Sequence, residues 1–196
     1  MKYLICNLKS YQTYEEMIKY KEYFIKINQL KSLNVSYAII GHYERRKYYK
    51  ETEYEILEKI KSALNHNIKV IYCIGETKEE KERKVEYQIL EKQIARIFNK
   101  LNNGELKNII IAYEPTYLIG NNTTYDILKI RSIIIFIKKL IQDYYQINAQ
   151  VIFGGNVNTD NINSLSKLDG LDGFIICSSI LNPENIPIII KKIAAK

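Results

Sequence analysis

The sequence predicts an α/β protein built on a parallel sheet, and three observations predict it. Short apolar runs alternate with long segments of mixed polarity, six times along the 196 residues. Within each run the apolar residues occupy consecutive positions, the pattern of strands covered on both faces. Each segment between runs is long enough for the crossover helix that parallel neighbours require.

The units follow in order. "KYLICN" (2–7) leads into Tyr14 to about Leu33, and "VSYAIIG" (35–41) into Glu44 to about Asn65. In this second segment Ile56, Ile60 and Leu64 recur at i, i+4 and i+8, one apolar stripe of a helix. "IKVIYCIG" (68–75) leads into Lys78 to Leu101, and "KNIIIAYEP" (107–115) into Tyr125 to Tyr145. "AQVIFGG" (149–155) leads into Thr159 to Leu168, and "DGFIIC" (172–177) into Pro183 to Ala194. Pro183 opens the last helix, where its missing N–H costs nothing, and Asn182 offers an N-cap before it. No linker or low-complexity stretch interrupts the series, so residues 1–196 read as a single domain.

Composition narrows the class. With 46% hydrophobic and 26% charged residues the chain reads as globular rather than disordered. Its longest apolar blocks, "IIIFI" and "IPIII", fall far short of a membrane span, and "YLIC" is too short for a signal-peptide core. Cys6, Cys73 and Cys177 are therefore expected as free thiols in a reduced, cytoplasmic setting. The net charge of +7 fits either attraction to an anionic partner or a general excess of solvated lysine. Lysines mixed with glutamates, as in "ETKEEKERK" (76–84), favour the second and speak against nucleic-acid binding.

Active sites of parallel α/β folds lie at the carboxyl ends of the strands. Asn7 and Lys9 follow the first strand, His42 and Glu44 the second, Glu76 the third; Glu114 ends the fourth. Gly154, Gly155 and Asn156 end the fifth, and Cys177 and Ser178 end the sixth. A buried Glu114 can take a proton from carbon. His42 stands before a helix start, whose positive end disfavours imidazolium, and a neutral ring can polarise a carbonyl. Lys9 supplies a cation for a developing enolate or a phosphate, and "FGGN" can turn backbone N–H groups to an anion. Together the set suggests proton transfer beside a carbonyl in a phosphorylated substrate. Taken singly, a strand-end glutamate is more often a turn acid, His42 a structural histidine and a glycine pair a plain turn. His66, in "LNHNIK", reads as a surface turn residue, and the cysteines as small packing groups. No metal-ligand spacing and no cofactor motif occurs.

The blocks "NLK" (7–9), "GHYERR" (41–46), "CIGE" (73–76), "AYEPTYLIG" (112–120), "FGGNV" (153–157) and "DGFII" (172–176), in this order, resemble the triosephosphate isomerase family. The resemblance implies a TIM-type (β/α) barrel, and interconversion of dihydroxyacetone phosphate and glyceraldehyde 3-phosphate without a cofactor. It implies Glu114 as base, His42 as electrophile and Lys9 as electrostatic partner, with Glu44 in support. Asn7, Gly154, Gly155, Asn156 and Ser178 would face the substrate, and "PTYLIG" would be a lid reaching the phosphate at Gly120.

The chain also departs from the family. An eight-unit barrel takes roughly 250 residues. Here the run after the first helix resembles the family's approach to its fourth strand, so the second and third strands are expected to be missing. About six βα units remain, and an incomplete or distorted closure is expected, because strand number, tilt and stagger are linked. Open strand edges invite pairing, so the family's usual dimer contact gives way to a possible homo-oligomer through another interface. Cys177 and Ser178 replace two glycines at the phosphate, Tyr43 replaces a small serine after the histidine, and Tyr117 replaces a tryptophan. These changes keep open a second reading, an impaired or inactive remnant that binds rather than turns over. A different phosphate-handling barrel enzyme fits the quoted blocks poorly.

Overall fold

A computed structural model of the chain describes residues 3–6, 35–119, 126–181 and 184–194. The strands are β1 (Tyr3–Cys6), β2 (Tyr37–Ile40), β3 (Lys69–Ile74), β4 (Ile109–Tyr113), β5 (Gln150–Phe153) and β6 (Gly173–Ile176). They form one six-stranded sheet in the order β1-β6-β5-β4-β3-β2, and every pairing is parallel. The alternating runs therefore fold as expected. β1 pairs with the last strand, while β2 is the far edge.

The sheet is curled. Ile71, Cys73, Ile110, Ala112, Ile152 and Ile175 meet in one inner cluster, joined by Tyr3, Ile5, Ile39 and Cys177. Side chains alternate across a strand, so the other set faces outward. Val70, Tyr72, Ile111, Tyr113, Val151, Phe153 and Phe174 pack there under the helices in a second, larger cluster. This is the two-layer plan of a TIM-type barrel. Among the described residues no ladder joins β1 to β2, so the ring is open at the expected place. The exposure follows: β4 is buried throughout, whereas Tyr37 on edge strand β2 is exposed.

Within the described residues the expected helical segments are present but more divided. The segment from Glu44 breaks into α1 (Tyr43–Tyr48) and α2 (Glu53–Asn65). Lys50 takes a left-handed φ of 53° at the break, and Thr52 restarts the helix with a reciprocal capping box to Glu55. The Ile56–Ile60 stripe is fully buried, and Leu64 packs beside it. The segment Lys78 to Leu101 likewise divides into α3 (Lys78–Glu82) and α4 (Glu86–Phe98), with Lys84 left-handed between them, and a short α5 (Asn103–Leu106) follows beyond it. Then come α6 (Ile127–Tyr145), α7 (Ile162–Ser166) and α8 (Asn185–Ala194). Pro187 sits in the first turn of α8, where a missing N–H breaks no helical bond. His66 ends α2, and its Nδ1 lies 2.7 Å from the Ser62 carbonyl oxygen. The helix expected over Tyr14 to Leu33, Asn182 and Pro183 lie outside the described residues.

Among the described residues no helix is long and apolar enough to cross a membrane. Nor does any group of three or more His, Cys, Asp or Glu among them form a metal site.

Candidate active site

The carboxyl ends of the strands carry the chemistry-bearing residues. Glu114 follows β4 and is 2% exposed; its backbone N–H bonds the Ile74 carbonyl over 2.7 Å, which continues the β3–β4 ladder one step past the strand. Pro115 then ends the strand and admits a single 3₁₀ turn, Thr116–Leu118. Gly154, one step past β5, bonds the Tyr113 carbonyl over 2.9 Å and lies flat against the carboxylate.

His42 comes from the neighbouring side, past β2, as the N-cap of α1. Its Nδ1 accepts the Glu44 backbone N–H over 3.4 Å. A ring that accepts through Nδ1 carries its proton on Nε2. Nε2 lies 3.4 Å from Glu114 Oε1. The Glu44 carboxylate stands 3.9 Å from Nδ1 on the other side.

These residues share one cavity of about 210 Å³, which Gly154, Asn156, Cys177 and Ser178 also line. Of the expected site residues, Glu114, His42, Glu44, Gly154, Asn156 and Ser178 thus come together. Gly155 turns away from this cavity, stacked closely against the Phe153 ring. Asn7, Lys9 and Gly120 lie outside the described residues.

Three neighbours change how the site reads. Tyr43 borders the cavity, its ring edge-on to His42 at 6.0 Å. Burial, then a hydrogen bond with Tyr48, push its phenol up to about 12. Cys73, read from the sequence as a packing group, does sit in the inner cluster, but it also faces Glu114. Burial, and then that carboxylate, hold its thiol well above the usual range. Gln93 of α4 accepts the Gly75 N–H over 2.9 Å and donates to the Gly75 carbonyl over 3.1 Å, fixing the turn that follows β3. Sequence reasoning missed Gln93; nothing in a polar helix residue announces a contact with a strand end.

A second buried acid stands behind the first. Glu76 is 1% exposed, and Tyr113 donates its hydroxyl to Oε1 over 2.9 Å. Desolvation raises the Glu76 carboxyl above its ordinary value despite that bond. Tyr117, on the turn after Glu114, is pushed up to about 12 by burial and the charge of Glu76, and Lys81 stands over its ring at 3.8 Å.

A carboxylate and an N–H donor side by side over a small cavity can act on adjacent atoms of one ligand, one taking a proton, the other bonding an oxygen. Comparison with known proteins agrees with the architecture. The family model for triosephosphate isomerase matches residues 24–193. The triosephosphate isomerase of Alkaliphilus oremlandii is 32% identical over 164 residues, 82% of this chain and 66% of that protein. That of Dictyoglomus thermophilum is 34% identical over 166 residues, 83% of this chain and 67% of its own length. That of Emericella nidulans is 31% identical over 169 residues, 84% and 68% respectively. The match thus spans about two-thirds of the length of these relatives. With six parallel strands in barrel order and a family match over most of its length, the chain belongs to the triosephosphate isomerase family.

Proposed function

We propose that the chain interconverts dihydroxyacetone phosphate and glyceraldehyde 3-phosphate by proton transfer through an enediolate. The observation that carries this reading is the 3.4 Å approach of His42 Nε2 to Glu114 Oε1 at the cavity.

In this scheme Glu114 removes a proton from the carbon beside the substrate carbonyl. The C–H electron pair forms the carbon–carbon double bond, and the carbonyl pair moves onto oxygen. His42 donates its Nε2 proton in a hydrogen bond to that oxygen, and the Glu44 backbone N–H keeps the ring in the required tautomer. The proton on the enediolate's hydroxyl oxygen passes by way of His42 Nε2 to the former carbonyl oxygen, and Glu114 returns its proton to the neighbouring carbon, so that the former hydroxyl carbon becomes the carbonyl. Lys9 supplies the positive charge that stabilises the enediolate, and Asn7 contributes to binding the substrate. Gly154 and Asn156, with Ser178 and Gly120, hold the phosphate. The scheme needs neither metal nor cofactor. The proposed setting is the cytoplasm, with a triose phosphate as the partner and nucleic acid playing no part. The edges of β1 and β2 offer a homo-oligomeric contact of a new kind.

The Tyr43 and Cys177 side chains at the cavity favour a second reading, a protein that binds the ligand without turning it over. Proton NMR of dihydroxyacetone phosphate in deuterium oxide separates the two. Protein-catalysed deuterium wash-in, lost in Glu114→Gln, supports the isomerase. Saturable binding without exchange above the protein-free rate supports the second reading.

A further inference from the structure

Arg46 of α1 reaches into the groove between two strand ends. Its Nε donates to the Gly41 carbonyl over 2.8 Å, and its Nη2 to the Cys73 carbonyl over 3.2 Å. Its Nη1 donates to Glu53 Oε1 of α2 over 2.5 Å, and the guanidinium carbon stands 6.0 Å from the Tyr72 ring centroid. One side chain therefore ties the peptide just before His42, past β2, to the peptide that ends just before Gly75, on β3. Gly41 is shaped for this contact. Its φ is +76°, and a Cβ there would stand 3.1 Å from Arg46 Nη2 and 3.3 Å from the Cys73 oxygen. A side chain at 41 would meet both backbone strain and the guanidinium. β2 is the outer strand of the sheet, and among the described residues only β3 pairs with it and fixes its end.

We propose that Arg46 is a positioning residue for the reaction: it sets the register of the β2 end against β3, and so holds His42 Nε2 at its distance from Glu114. Glu53 in turn holds the guanidinium. The planar fork donates in three directions at once, which a lysine ammonium on a flexible stem cannot reproduce in this geometry. Arg45, its neighbour in sequence, points elsewhere, toward Glu51 and the Tyr49 ring. The kinetic side of the proposal rests on the isomerase reading; the positional side does not.

The test uses the full chain carrying Arg46→Lys, alone and together with His42→Gln. Arg45→Lys is the control, and urea midpoints are measured for each protein. Arg46→Lys is expected to lower kcat about 10- to 100-fold with KM within about twofold, and to add no further loss in the His42→Gln background. Losses that multiply in the double variant overturn the proposal, because a general structural weakening acts equally in both backgrounds. The second arm reads the His42 ring proton by NMR, assigned through its disappearance in His42→Gln. Its resonance is expected to shift in Arg46→Lys and to stay in place in Arg45→Lys. An unmoved resonance in folded Arg46→Lys overturns the proposal. Should Arg46→Lys not fold, Glu53→Gln loosens the same guanidinium while leaving it present, and the same shift is expected there; an unmoved resonance overturns the proposal. A wild-type protein without isomerase activity sinks the isomerase reading, while the NMR arm still decides the role of Arg46.

Discussion

Gly154 is pressed against Glu114: a Cβ at position 154 would stand 2.9 Å from both Cγ and Oε1 of the glutamate. The absent side chain is thus what lets the carboxylate lie where it meets His42. Gly154→Ala is expected to push the carboxylate aside and lower kcat by about 10²-fold, the scale of an ångström's misplacement. Its stability cost should be about 1–3 kcal/mol, the range for overpacking. Steady-state kinetics with a urea melt on the same protein checks both.

Glu76 gives a pH prediction with a definite sign. Burial raises its folded-state carboxyl above the unfolded value, so the folded protein binds this proton more tightly than the unfolded chain. Its contribution is therefore fully present below the unfolded value near 4.5, and is lost as pH rises through the raised one. Glu76→Gln, whose carbonyl oxygen can still accept from Tyr113, should gain on the wild type over that rise and hold a constant difference above it. Urea midpoints of both proteins across the acid range read this directly.

The outer core makes a simpler prediction. Ile56 of α2 is fully buried among the helix–sheet contacts. Ile56→Ala should cost about 2–5 kcal/mol, the combined loss of transfer free energy and of packing around the cavity left behind. A urea denaturation curve measures it.

Thr52 tests the division of the second segment into two helices. Its hydroxyl accepts the Glu55 backbone N–H, and Glu55 reaches back to the Thr52 N–H. Thr52→Ala should cost about 1 kcal/mol. The loss should be visible as fraying of the amide protons at the start of α2.

Much of this fold could be read from the sequence because apolar period reports burial directly. The consecutive isoleucines of β4 and the Ile56–Ile60 stripe mean the same thing in the chain as in the structure. The helix breaks were harder, because Lys50 and Lys84 adopt left-handed backbone that glycine would normally announce. In the site, Glu114, His42 and Gly154 could be found because each sits at a strand end within a recognisable block. Arg46, Gln93 and Cys73 could not. Arg46 and Gln93 act on backbone atoms from other elements, and Cys73 looks like any small apolar strand residue until Glu114 is placed beside it.

The most direct test of the account is the rate of triose phosphate interconversion by the wild-type chain and by Glu114→Gln, measured in both directions. The account predicts measurable turnover by the wild type and a fall of about 10²- to 10⁴-fold in the variant, the span expected for loss of a general base. Turnover that is absent in the wild type, or equal in the two proteins, would contradict it.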